Sequence, residues 1–131
     1  MKSIVLISSL ALLSVSLFSE PNTDWDLLGN SSNMQHHSNL EQINKSNIKD
    51  LGITWVVDLP TQDGLVGNPL IKDGRIFQSG SFSRIFANDL KTGDPLWIFD
   101  PVDRAQIGPS LMEGFATRTN RGVALFEDLV I

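Results

Sequence analysis

Apolar residues fall along this chain in short runs separated by turn-forming residues, and each run predicts an element. Ile4 to Phe18 is almost purely apolar, broken only by serines. Pro21 to Asn39 is polar, rich in Asn and Ser, and reads as an extended arm with loops around Trp25. Leu40, Ile43, Ile48 and Leu51 follow at spacings that suit a short helix or helical turns, with Ser46 as an N-cap and Gly52 as a stop. Ile53 to Leu59 predicts a strand, and Pro60 to Asn68 a loop whose Gly64 and Gly67 imply tight backbone geometry. Pro69-Leu70-Ile71 and Arg75 to Gln78 flank a turn at Lys72-Asp73-Gly74. Arg84 to Ala87 leads through the turn Lys91-Thr92-Gly93-Asp94 to the run Leu96 to Phe99. These runs are short and bounded by Gly, Asp or Asn, as strands joined by hairpins are. A longer connection, Pro101 to Asn120, precedes a last apolar run from Ala124 to Ile131.

The runs repeat. Trp55 and Trp97 open the same phrase, Trp-Val-Val-Asp and Trp-Ile-Phe-Asp, 97 − 55 = 42 residues apart. A period of about 40–45 residues is that of a β-propeller blade. The expected fold class is therefore all-β: an incomplete β-propeller. An N-terminal arm with a short helical segment (20–52) leads into one blade and parts of its neighbours (53–131). A propeller needs about four blades to close, and the chain stops inside an apolar strand, so the expectation is a fragment. Asp73 to Phe77 also aligns with Glu127 to Ile131, at an offset of 127 − 73 = 54. The excess over the tryptophan period, 54 − 42 = 12 residues, falls in the 101–120 connection. Long connections are where propellers place their sites.

Charge and composition narrow the function. Lys2 followed by the Ile4–Phe18 run reads as a secretory signal peptide over residues 1–19, with an uncleaved anchor as the alternative. The run is fifteen residues long (18 − 4 + 1), short of the ~20 needed to span a bilayer. Export to the periplasm or beyond is thus expected, with no membrane span in the mature chain. Removing residues 1–19 takes Lys2 with it and leaves 9 basic against 15 acidic residues, a net charge of 9 − 15 = −6. Such a chain lacks the clustered positive face that nucleic-acid phosphates require. There is no cysteine, so neither a lipid anchor on Cys nor a disulfide is available.

Ala87-Asn88-Asp89-Leu90-Lys91-Thr92-Gly93-Asp94-Pro95-Leu96-Trp97 has the form Ala-x-Asp-x-x-x-Gly-x-x-x-Trp. It resembles the tryptophan-docking motif of the quinoprotein dehydrogenases, periplasmic enzymes that use pyrroloquinoline quinone (PQQ) to oxidise alcohols or sugars. In physical terms Gly93 permits the turn, Asp89 accepts turn amides, and Ala87 is small enough to lie under an indole. Trp97 is expected to bury its ring between neighbouring blades. The likeness runs through nearly all of the mature chain: Trp25…Gly29-Asn30 and Leu40 to Trp55 are similar to the family's lead-in. Pro69 to Gly74 and Asn120-Arg121-Gly122-Val123-Ala124 are similar to its next landmarks.

The resemblance implies PQQ and calcium as cofactors, an alcohol or sugar substrate, and an electron acceptor such as a cytochrome c. It assigns Arg121 to the quinone oxygens, a task suited to a permanent planar donor. Arg118, three residues earlier, joins it as a second candidate for an anionic tricarboxylate. Backbone from Gly64 to Asn68 is a lesser candidate. Calcium ligands and a catalytic aspartate are not expected within these residues.

Two departures from the family pattern stand out. Val66 occupies the position of a glutamate that hydrogen-bonds the quinone, and Phe115-Ala116 the position of a cysteine pair beside it. These leave two alternatives open, a non-catalytic propeller acting as a binding or assembly scaffold and an inactive truncated dehydrogenase. Of the remaining polar residues, Arg84 reads as an ion-pair residue, Asp58 and Asp100 as turn caps, and His36-His37 as part of a solvated arm.

Overall fold

A computed structural model describes residues 23–61, 64–101 and 118–131. The expected signal peptide and Phe115-Ala116 lie outside the described residues. The blade forms as the hydrophobic pattern predicts. Strands β1 (Leu70–Lys72), β2 (Arg75–Ser79), β3 (Ile85–Asp89) and β4 (Pro95–Phe99) make one antiparallel sheet in the order β1-β2-β3-β4. A separate hairpin, β5 (Leu125–Phe126) with β6 (Leu129–Val130), follows. Lys72 pairs with Arg75 across the first turn and Phe126 with Leu129 across the second. Both partners are displaced by 126 − 72 = 129 − 75 = 54 residues, so the aligned segments adopt the same hairpin.

Strand alternation fixes what each face of the sheet presents. Leu70, Phe77, Ala87 and Trp97 pair in one row across the four strands. Leu70, Phe77 and Ala87 are buried, and the Trp97 ring tilts against Phe77 with centroids 6.0 Å apart. The β5–β6 hairpin lies beside this row. Leu129 and Val130 share one cavity with Trp97 and another with Phe77, and the Lys72 ammonium donates to the Glu127 carbonyl at 2.7 Å. Phe86, on the opposite face, is 1% exposed and packs beside Gly80. The register shifts after Ala87, which pairs with Trp97, while Asn88 pairs with Pro95. Leu96 is the extra residue of this bulge.

The β3–β4 turn shows the local chemistry of the docking motif. The Asp89 carboxylate accepts from the amides of Lys91 and Thr92 at 2.8 and 2.9 Å. Buried Asn88 donates to the Gly93 carbonyl at 2.9 Å. Gly93, at φ 79°, lies against an indole, and a Cβ there would stand 2.7 Å from the ring. That indole is Trp55, whose Nε1 donates to the Leu90 carbonyl at 3.0 Å. The motif is thus completed by a tryptophan from 93 − 55 = 38 residues upstream. Trp97, expected to be buried between blades, is 40% exposed. Its ring has Phe77 beneath it but no second turn of this kind to dock on among the described residues.

The amides of Thr92 and Lys91 hold the Asp89 carboxyl below its ordinary value of 3.8. Folding therefore favours the charged form. The stability this contributes is fully present above the unfolded-state value and is lost as pH falls through the lower folded value. Asp89→Asn should flatten the decline in stability below about pH 4, as acid titrations of both proteins followed by circular dichroism would show. Equal acid sensitivity would leave Asp89 without this role.

Two further expectations are corrected. Residues 53–59 form no strand, because a strand requires a ladder partner and none lies alongside them among the described residues. The helical segment of the arm reduces to a 3-10 turn at Ile48–Asp50. Side chains of Asn44 and Asn47 organise it, not Ser46: Asn44 Oδ1 accepts from Ser46 and Asn47 Oδ1 from the Asn44 amide. These asparagines compete locally with helical hydrogen bonding. Asp100 pairs with Arg84 at 2.6 Å, which makes Arg84 the ion-pair residue that its sequence setting suggested.

Candidate functional site

Of the connection expected to hold a site, residues 102–117 lie outside the described residues, and its end, 118–121, meets other segments where β1 begins and β2 ends. Three segments meet there: the arm near Leu28, the loop 64–69, and the approach to β5 at 120–124. Their meeting is enforced by backbone contact. A Cβ on Gly67 would stand 2.3 Å from Ser79 Oγ, 2.7 Å from the Gly122 nitrogen and 3.0 Å from the Arg121 carbonyl carbon. The first two lie far inside the ordinary van der Waals distance, and the Gly122 nitrogen is backbone, so any side chain at 67 forces the two loops to shift.

Two adjacent side chains at the end of β2 hold the two loops. Gln78 Nε2 donates to the Gly67 carbonyl at 3.0 Å. Ser79, fully buried, directs its hydroxyl at the Asn120 carbonyl at 3.4 Å. Asn120 closes the turn around Arg121 by accepting from the Gly122 amide through Oδ1 at 2.9 Å. This is the Asx turn that an Asn-x-Gly sequence favours.

Arg121 is exposed and lines a cavity of about 290 Å³ with Leu28, Asn68, Leu70, Val123 and Ile131. Val66, on the neighbouring loop, is 57% exposed. Arg118 is also exposed but is not among the residues lining this cavity. Apolar walls with one permanent cation suit a flat aromatic anion, its face on aliphatic carbons and its charge on the guanidinium. Among the described residues no group of three or more His, Cys, Asp or Glu could hold a metal ion. Nor is any helix long and apolar enough to cross a membrane.

The other candidate residues have structural surroundings. Arg84 and Asp100 form their ion pair at the rim of a second cavity, about 520 Å³, bordered by Leu59, Thr61 and Phe82. His36 is exposed and stands 6.5 Å from the Trp25 ring. Sequence reasoning found the tight geometry at Gly67 but missed Ser79 and Asn120. The Asn120-Arg121-Gly122 pattern was a usable sign of the turn. The burial of Ser79 had none, since serine is equally common on surfaces.

A four-stranded antiparallel blade, an indole docked on its turn and a second hairpin in the same register define a β-propeller repeat protein. Residues 25–130 match the family described as PQQ, glucose/ethanol/alcohol dehydrogenase, β-propeller domain. The chain belongs to this family. It is 44% identical over 107 residues to lupanine 17-hydroxylase [cytochrome c] of a Pseudomonas species. It is 36% identical over 108 residues to the quinohemoprotein alcohol dehydrogenase of Comamonas testosteroni. Each match covers 82% of this chain and 15% of the relative, so the chain spans about a seventh of their length. The crystal structure of the Comamonas enzyme superposes with a TM-score of 0.69, covering 82% of this chain and 16% of that one.

Proposed function

We propose that this chain is the N-terminal part of an exported PQQ-dependent dehydrogenase that oxidises alcohols or sugars. Its electrons pass to an acceptor such as a cytochrome c. Residues 1–19 direct it to the periplasm, and calcium is held by ligands from elsewhere in the protein. The observation that supports this reading is Arg121, presented on a built turn at the rim of an apolar cavity within a PQQ-family blade. The relatives are named as dehydrogenases or as a hydroxylase, which favours the catalytic reading over a binding scaffold.

Arg121 would hold the quinone by charge-assisted hydrogen bonds and stabilise negative charge on its oxygens. Leu28, Leu70 and Ile131 would exclude water beside it. When bound, the quinone supplies a two-electron acceptor for the substrate's carbinol carbon. The Val66 side chain offers no hydrogen bond, so Arg121 has the larger share of side-chain recognition in this segment. Arg118 is a secondary contact.

The test is quinone titration by absorbance in the full-length protein. Arg121→Ala should weaken binding by about 1.5–3 kcal/mol, the range for a hydrogen bond to a charged group. Arg121→Lys should recover only part of the loss, because an ammonium lacks the planar two-point contact. Unchanged affinity in the alanine variant, with the fold intact by circular dichroism, would assign Arg121 to structure.

A further inference from the structure

Arg121 has an exposed side chain, yet the backbone beneath it is closely packed. Arg121 is the central residue of an Asx turn, and its carbonyl carbon lies against the glycine of another loop. Asn120 accepts from the Gly122 amide across it, and Gly67 approaches so closely that a methyl group would overlap Ser79 Oγ and the Gly122 nitrogen. Ser79 Oγ and Gln78 Nε2 anchor the two loops to the same strand end. An arginine serving only solubility would need none of this. A long side chain that must deliver a planar donor to one place needs its backbone fixed, because the side chain has little rigidity of its own.

We propose that Gly67, Ser79 and Asn120 are positioning residues that set where the Arg121 guanidinium lies, with the Gly67–Arg121 backbone contact as the principal constraint. The proposal rests on the quinone reading of Arg121 and adds that the affinity depends on this packing. None of the three need touch the quinone. Gly67→Ala pushes the 64–69 and 120–122 loops apart at the point where their separation sets the guanidinium position. Asn120→Ala releases the turn, while Asn120→Ser keeps an oxygen that can accept from the Gly122 amide.

A double-mutant cycle in the full-length protein tests this, with quinone affinity as the readout and thermal melting of the quinone-free protein as the control. Gly67→Ala and Asn120→Ala should each weaken binding about tenfold, with Asn120→Ser closer to the unmodified protein. In an Arg121→Ala background the same two substitutions should have no further effect, because the residue they act through is gone. Equal losses in both backgrounds would overturn the positioning role, as would a loss matched by Asn120→Ser. If the unmodified protein binds no quinone, the functional reading fails and the positioning proposal with it. If it binds and the losses are additive, only the positioning proposal fails.

Discussion

Residues 20–131 expressed alone are expected to show no cooperative thermal transition and poorly dispersed amide signals. The apolar core of the described residues consists of Leu70, Phe77, Phe86 and Ala87. Against it stand large apolar side chains facing water: Ile53 at 84%, Val56 at 78% and Ile131 at 69%. Leu40, Ile43, Ile48 and Leu51 of the arm are exposed as well, and so are Trp97 and Ile98 of β4. A repeat unit of this kind buries its faces on neighbouring units and has little stability by itself. Exposed strand edges such as β4 also invite association between copies. Calorimetry and size-exclusion chromatography check the expectation. A sharp transition from a monomer would show that the blade and arm suffice as a folding unit.

The second large effect is expected at Trp55 in the full-length protein. Its ring seats on Gly93 and its Nε1 donates to the Leu90 carbonyl, tying the segment before the blade to the β3–β4 turn. Trp55→Ala removes both the packing and the hydrogen bond, and should cost about 3 kcal/mol. That is the low end for a large aromatic, since the ring is only partly buried. Trp55→Phe restores most of the packing but leaves the Leu90 carbonyl without its donor, an expected loss nearer 1 kcal/mol. Denaturant unfolding of the three proteins measures both. An alanine variant within about 0.5 kcal/mol of the unmodified protein would mean that the docked indole is incidental.

Much of this fold is legible along the chain because hairpins are local. Alternating apolar residues, an Asp-Gly turn and the spacing of the docking motif placed β1 to β4 within a residue or two, whereas Ala124 to Ile131, expected as a single strand, turns at Glu127-Asp128 into the β5–β6 hairpin. The 54-residue offset aligned Asp73 to Phe77 with Glu127 to Ile131, and the structure shows that both segments turn into the second strand of a hairpin. Arg121 was also legible, through its motif and its position after a long connection.

Where sequence reasoning failed, the cause was either a partner distant in the chain or a side chain that competes locally with the expected element. Ile53 to Leu59 has a strand's composition, but composition does not supply a ladder. The spacing of Leu40, Ile43, Ile48 and Leu51 suits a helix, yet Asn44 and Asn47 close turns that compete with one. Which tryptophan docks on Gly93 depends on the chain between Trp55 and Gly93 folding back, which the motif at 87–97 does not encode. The amino-acid sequence by itself determined the strands, their turns and the cation offered at Arg121, because these depend on neighbours a few residues apart. Only the tertiary structure decided that Gly67, Ser79 and Asn120 meet beneath that cation. Residues 67 and 121 touch through backbone atoms, and side-chain pattern contains no record of a contact made by a missing side chain.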